Sequence, residues 1–167
     1  MLYTCSICGQ IHEGLSAIAF NSPYNYECLS EEDKSSIAEL SSDFCIIKYE
    51  DQTDRFIRVV LKQKIIDEQE TLDYGVWVSV SEKSFLDYKE NFDSAINETT
   101  YFGYLCNKIP GYENTLSIKT NVETALGNER PEIFPHTNQM DNDFVIDYYN
   151  GITLKEVEKR IHEASAK

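Results

Sequence analysis

Two cysteines and a histidine near the N-terminus have the spacing of metal ligands. Cys5 and Cys8 stand three positions apart, Gly9 follows directly, and His12 lies four residues after Cys8. A Cys-x-x-Cys turn directs two sulfurs to one point, and the glycine lets backbone N–H groups approach the second sulfur without interference from a Cβ. The sequence therefore predicts a structural zinc site with Cys5, Cys8 and His12 among its ligands.

The fourth ligand of this site is left open by the sequence. A closed tetrahedral zinc site needs four ligands, and spacing does not choose among the remaining candidates, which are Cys28, Cys45 and His136. Reduced surface cysteines are the plainer alternative for the Cys5–Cys8 pair. A redox dithiol is less favoured, because such pairs usually stand at a helix N-terminus after a strand. Residues 1–4, which precede Cys5, are very short for such a strand.

An enzymatic site is the other alternative for this region. Glu13 follows His12 and could serve as a base for a zinc-bound water. However, the His-x-Glu pattern of the deaminases and the His-Glu-x-x-His pattern of metalloproteases are both missing. His136 is the one candidate for a general base outside the metal region. A zinc-dependent or thiol enzyme that uses Cys5, Cys8 and His12 therefore stays open as the second hypothesis.

The chain is strongly acidic. Its 167 residues include 29 acidic and 15 basic side chains, for a formal charge of −14. This charge argues against nucleic-acid binding, which needs a positive face for phosphate contacts. It favours a basic protein partner, although an acidic surface can also serve solubility alone. The residues expected to contact that partner are Glu31, Glu32, Asp33, Asp67, Glu68, Glu70, Asp73, Asp141, Asp143, Tyr148 and Tyr149.

The composition is typical of a folded protein of the cytoplasm. Aromatic residues make up 12% of the chain, and that much Tyr and Phe must be buried. Five cysteines, an odd number, argue against a disulfide framework. Neither an apolar run long enough to span a bilayer nor a secretory signal pattern is visible, so we expect a cytoplasmic protein with no membrane partner.

The hydrophobic pattern predicts a single α+β domain over residues 1–167. Residues 1–28 are expected to form a loop region around the metal-type turn, and residues 29–167 the α+β body. Strands, mostly in an antiparallel meander, are predicted at 44–49, 55–61, 72–80, 101–106, around 116–122 and at 144–149. About three helices are predicted, at 30–40, at 81–91 and from 153 onward, with 126–143 irregular. His162, in the last helix, is interpreted as a surface group compatible with the helix dipole.

Several segments resemble a bacterial family known as domain of unknown function 2199. They include the Cys-x-x-Cys-Gly-x-x-His-x-Gly-Leu pattern of 5–15 and the Gly-Val-Trp-Val-Ser segment of 75–79, and they continue in order at 40–45, 101–105, 109–112, 115–116, 130–131 and 151–153. The resemblance implies no assigned activity. It also implies that family histidines are replaced here by Asn121, Glu123 and Asn142, and a family proline by Asp143. If those histidines form a site in relatives, this chain has lost it, which favours a binding protein.

The leading functional expectation is a non-catalytic acidic protein that occupies a basic partner surface. Its concrete form is an immunity protein that neutralises a cognate bacterial toxin, such as a nuclease. A blocker of this kind needs a stable scaffold, negative charge and aromatic anchors, and it needs no active site of its own.

Overall fold

The computed structural model describes residues 2–93, 98–127 and 129–165. Its strands are β1 (Leu2–Thr4), β2 (Ile11–Glu13), β3 (Ile18–Ala19), β4 (Ala38–Leu40), β5 (Phe44–Lys48), β6 (Thr53–Lys64), β7 (Thr71–Val80), β8 (Thr100–Leu105), β9 (Lys119–Glu123) and β10 (Glu132–Pro135). Its helices are α1 (Tyr24–Glu27), α2 (Glu31–Ser36), α3 (Glu82–Glu90), α4 (Asp143–Asn150) and α5 (Leu154–Ser165), and a 3₁₀ turn spans Thr137–Gln139. The predicted α+β class is confirmed.

Five of the strands close into a barrel. From β6 to β10, each strand pairs antiparallel with the next along the chain. An up-and-down ring with an odd number of strands must close with one parallel pair, and here Glu132 of β10 lies beside Val60 of β6. The predicted meander is confirmed for the order of these strands, but a simple meander is wrong. The closure was missed because β10 lies within 126–143, which was expected to be irregular.

Alternating side chains of the barrel strands fill its interior. On β6, Ile57, Val59 and Leu61 are fully buried and share one face of the strand. The helices α3, α4 and α5 extend this core through Phe85, Phe144 and Val157. A ring of so few strands has an interior that side chains fill. The candidate sites therefore lie outside the barrel, on surfaces that the barrel positions.

A second apolar cluster lies outside the barrel. Trp77 belongs to it, whereas its neighbours Val76 and Val78 belong to the main core, so β7 is buried on both faces. The indole N–H of Trp77 donates to the Phe20 carbonyl at 3.0 Å, which ties the segment before α1 to the sheet. The buried members of this outer cluster are Cys45, Ile47, Phe56, Trp77 and Cys106.

The described chain has five α-helices, where about three were predicted. Helices α2, α3 and α5 correspond to the predicted ones, and α1 falls in the region expected to be loop. Helix α4 replaces the strand predicted at 144–149, because the Asn142 side chain accepts hydrogen bonds from the N–H groups of Phe144 and Val145 and so caps a helix. Within the described ranges, no helix combines the length and apolar character needed to cross a bilayer.

Candidate metal centre and acidic groove

The Cys5–Cys8 turn lies at the tip of a hairpin formed by β1 and β2. The Gly9 N–H donates to the Cys5 carbonyl at 2.9 Å, and the Cys5 N–H donates to the Gln10 carbonyl at 2.8 Å. Gly9 has a φ of +71°, a left-handed conformation that glycine adopts without a Cβ penalty. These contacts hold the two sulfurs within 4.8 Å of each other.

His162 of α5 forms a three-residue cluster with the two thiols. The ligand atoms of Cys5, Cys8 and His162 all lie within 4.8 Å of one another, and the Cys5 Sγ is 3.2 Å from His162 Nε2. With zinc bonds of about 2.0–2.3 Å, a sulfur and a nitrogen on one tetrahedral ion lie about 3.6 Å apart. The observed separation is close to that value, so the cluster could hold a metal ion.

His12 adjoins this cluster through Cys8. Its Nε2 atom lies 3.3 Å from the Cys8 Sγ. Its ring stacks on Tyr3, which is directly opposite in the hairpin register, at a centroid distance of 5.6 Å. His12 therefore lies beside the cluster, but among the described residues the group whose ligand atoms all lie within 4.8 Å of one another contains Cys5, Cys8 and His162 and not His12. Zinc favours such a combination of sulfur and nitrogen donors.

The Cys5 thiol is buried and has a lowered pKa. Cys5 is 2% exposed, whereas Cys8 is exposed. A hydrogen bond from the Cys8 backbone lowers the pKa of Cys5 to about 7, with a smaller contribution from His162 and against the opposing effect of burial. The lowered pKa favours the thiolate, which is the form that binds a metal.

A buried carboxylate from α5 lies next to the cysteine turn. Glu158 is 3% exposed and stands four residues before His162 on the same helix. It accepts a hydrogen bond from the Ser6 backbone N–H at 3.2 Å and another from the Ser6 hydroxyl. Because Ser6 follows Cys5 directly, Glu158 fixes the orientation of the turn relative to the helix.

The three residues considered as the fourth ligand lie in other surroundings. Cys45 is fully buried in the outer apolar cluster, where desolvation raises the pKa of its thiol to about 12. Cys28 is exposed at the end of α1. His136 Nε2 lies 2.8 Å from the Asn121 side-chain oxygen. Among the described residues, the metal-ligand group around Cys5 and Cys8 contains His162 and none of these three.

Sequence reasoning missed His162. It was interpreted as a surface group compatible with the helix dipole; it does lie in the last turn of α5, but it is half-buried and its ring nitrogen contacts the buried Cys5 sulfur. The one sequence signal was the four-residue spacing from Glu158, which places both side chains on one face of α5. That spacing is common on solvated helices, and a contact between residues 5 and 162 has no local signature.

The residues expected to contact a partner are distributed over several elements. Asp73 lies on β7 and lines a groove of about 610 Å³, described below, and Asp141 and Asp143 line another of about 550 Å³. The two tyrosines belong to α4: Tyr148 is half-buried against the core, and the Tyr149 hydroxyl donates to the Pro135 carbonyl. The remaining acids occupy the first turn of α2 and the β6–β7 connection: Glu31, Glu32, Asp33, Asp67, Glu68 and Glu70.

A groove of about 610 Å³ lies beside the closing strand pair of the barrel. We call it the acidic groove, because the described residues that line it include six carboxylates and two basic side chains. Each base is paired within the groove: Lys62 contacts Glu132 at 2.7 Å, and Arg130 contacts Asp43 at 2.7 Å. The carboxylates in excess of these pairs are Asp73, Asp93, Glu123 and Glu129.

Aromatic rings from α3 form another part of the groove lining. Tyr88 and Phe92 both line it. Tyr88 is buried and packs edge-on against Phe92, with ring centroids 5.7 Å apart. The acidic groove therefore combines an excess of negative charge with aromatic surface, a combination that suits a cationic side chain.

The comparisons with known proteins identify one family. A family model described as an uncharacterised protein conserved in bacteria, the domain of unknown function 2199 family, matches residues 4–152. The chain belongs to this family. The match includes Cys5, Cys8 and His12 but ends before α5, which carries His162. No curated protein and no solved structure matches the chain.

Proposed function

We propose that this protein binds the basic surface of a partner protein, and that it acts as an immunity protein for a bacterial toxin such as a nuclease. The observation that carries this proposal is the acidic groove. Its two bases are already paired internally, so four carboxylates in excess face a space of about 610 Å³.

A lysine or arginine side chain matches the chemistry of the groove. Carboxylates form charge-assisted hydrogen bonds with an ammonium or guanidinium group. Tyr88 and Phe92 line the same groove and add aromatic surface, which can attract a partly desolvated cation. A nuclease holds phosphates with a basic surface, so a protein that engages those same side chains would block its substrate.

The charge of the whole chain supports fast association with such a partner. A formal charge of −14 on 167 residues creates a field that attracts a basic protein before contact. Electrostatic attraction of this kind raises the association rate and weakens with salt. An inhibitor of a toxin inside a cell benefits from rapid capture.

Charge reversal in the groove tests this proposal. The probe is a basic protein encoded next to this gene, purified and titrated against the full-length chain by calorimetry at low and high salt. We expect the Asp73→Lys, Glu123→Lys double variant to weaken binding at least tenfold, a loss of about 1.4 kcal/mol or more. The wild-type affinity should fall steeply as salt rises.

A second charge-reversal variant controls for net charge alone. Glu50→Lys with Asp51→Lys changes the total charge by the same amount at exposed positions that lie outside the groove and were not expected to contact the partner. It should weaken binding less than the groove variant, and only the wild type and this control should protect cells that express the basic protein. Equal loss for both variants would refute the groove as the binding site, and no binding at low salt would refute the proposed function.

The cluster of Cys5, Cys8 and His162 supports a structural role for a metal ion in this protein. Cys5, Cys8 and His162 supply three donors, and His12, 3.3 Å from the Cys8 sulfur, is the nearest candidate for the fourth donor of a closed structural zinc site. We therefore propose zinc as the ion and stabilisation of the scaffold as its role.

A further inference from the structure

The N-terminal hairpin has little apolar contact with the rest of the chain. Among the described residues, β1 and β2 pair with each other as a sheet separate from the eight-stranded one. Leu2 and Ile11 are each 73% exposed, so burial of these side chains contributes little to docking. An isolated two-stranded hairpin is marginally stable in water. The hairpin therefore needs another source of stability.

Polar contacts of the hairpin converge on one face of α5. Cys5 Sγ lies 3.2 Å from His162 Nε2, and the Ser6 N–H donates to Glu158 at 3.2 Å. Glu158 and His162 are four residues apart, so both lie on the helix face that meets the turn. The turn thus presents its thiols to an imidazole of α5, while a buried carboxylate fixes its orientation.

We infer that His162 is a zinc ligand, and that one ion held by Cys5, Cys8, His12 and His162 joins the N-terminal hairpin to α5. The inference rests on the proposed structural zinc, but it is independent of any basic partner. Glu158 acts as a positioning residue, because it holds Ser6 through two hydrogen bonds.

Metal occupancy then controls the docking of the hairpin. His162 can join the ligands of the hairpin only when the turn lies on α5, so the free energy of zinc binding is also free energy of docking. Without the ion, the described contacts of the turn with α5 are the Ser6–Glu158 hydrogen bonds and the weak contact of Cys5 with His162. The barrel has its own core and does not depend on these ligands.

Zinc affinity of the full-length protein and its variants tests the assignment. Zinc content would be measured after gel filtration, affinity by competition with a chelator, and ligand type by the absorption of the Co²⁺-substituted protein. We expect one zinc per wild-type chain and at least tenfold weaker binding for His162→Ala. The matched control His136→Ala removes a histidine that contacts Asn121 instead, and it should bind zinc as the wild type does.

A variant that restores a metal donor at position 162 distinguishes a zinc ligand from a residue that only supports folding. His162→Cys restores a metal donor at the same position, so it should recover most of the affinity and strengthen the thiolate-to-cobalt absorption. A shorter side chain without a donor, as in His162→Ala, cannot do either. Far-ultraviolet circular dichroism of each variant checks that the sheet is retained.

Amide hydrogen exchange measures the docking of the hairpin on α5. Chelation of the wild type should speed amide exchange in residues 2–13 and leave β6 and β7 protected. The inference is overturned if His162→Ala binds zinc as tightly as the wild type with an unchanged cobalt spectrum, or if chelation leaves exchange of the hairpin unaltered. Absence of zinc binding by the wild type would overturn the zinc role as well, while the outcome of the basic-partner titration would stand separately.

Discussion

The Tyr112→Phe substitution tests the polar network that holds α5 against the barrel. The Tyr112 hydroxyl accepts a hydrogen bond from Arg160 Nη2 at 2.8 Å and donates one to Asp147 Oδ2 at 2.7 Å. Arg160 is 2% exposed, and it also donates to the Tyr74 hydroxyl at 3.2 Å and to Glu156 at 3.0 Å. The Tyr112 oxygen is thus one of the acceptors that satisfy a buried cation.

We expect this substitution to lower the free energy of unfolding by about 2–3 kcal/mol, because a buried guanidinium N–H loses its acceptor. The loss at Asp147 is smaller, since that side chain is half-buried and water can replace the hydroxyl. The phenyl ring remains, so the contact between the Arg160 guanidinium and the ring, 4.6 Å from the centroid, is kept. The corresponding fall in Tm is about 4–12 °C for a chain of this size.

Urea unfolding at pH 7 measures the change, with free zinc held constant because bound metal adds to stability. Tyr104→Phe is the control: Tyr104 is 39% exposed on β8, and its loss of a hydroxyl should change stability by no more than about 0.5 kcal/mol. A Tyr112→Phe variant as stable as this control would refute the reasoning that the buried network anchors α5.

Two further predictions concern the barrel and the groove. Gly103→Ala should lower the free energy of unfolding in urea by about 1–3 kcal/mol, because a Cβ there would meet a backbone oxygen and two valine side chains at 3.1–3.2 Å. Gly75→Ala is the control and should lower it less, because the nearest neighbour of a Cβ at that position is the Arg58 side chain at 3.4 Å. Equal losses of stability for the two variants would contradict this prediction. Burial alone would raise the pKa of Asp43, but hydrogen bonds, above all from Arg130, lower it below its usual value. The folded state then binds fewer protons than the unfolded state, so the stabilising effect of Asp43 is present above the unfolded pKa of about 3.9 and fades as the pH falls through the lower folded value. The stability difference between wild type and Asp43→Asn should therefore be larger at pH 6 than at pH 3, and a difference independent of pH would contradict it.

The sheet could be predicted wherever the sequence carries a strong local pattern. Strands β5, β6, β7 and β8 were expected within a few residues of their observed bounds, because each is a run of apolar and β-branched residues between polar turns. Helix α4 was mistaken for a strand, since a short apolar run does not distinguish a strand from a buried helix. The closure of the barrel depends on a parallel pairing between β6 and β10, far apart in the chain, which no local pattern encodes.

The candidate metal centre could be predicted only in its local half. Cys5, Cys8 and His12 fall within eight residues, so their spacing alone indicated that they could bind one metal ion. His162 lies near the opposite end of the chain, on helix α5, whose charged residues suggest a solvated surface. Its role depends on how α5 packs, and that is decided by contacts such as Arg160 with Tyr74 and Tyr112.

Helix α5 therefore joins two parts of the molecule that respond to different perturbations. Its Arg160 side anchors the helix to the barrel through hydrogen bonds that involve no metal ligand, and its Glu158 and His162 side receives the cysteine turn. Removal of the proposed zinc ion should then release the hairpin while α5 and the barrel stay in place. The acidic groove is lined by residues between 43 and 132, none of which belongs to the hairpin or to α5. Binding of a basic partner should consequently survive chelation, so a metal requirement for partner binding would show that the two sites are coupled in a way this packing does not provide.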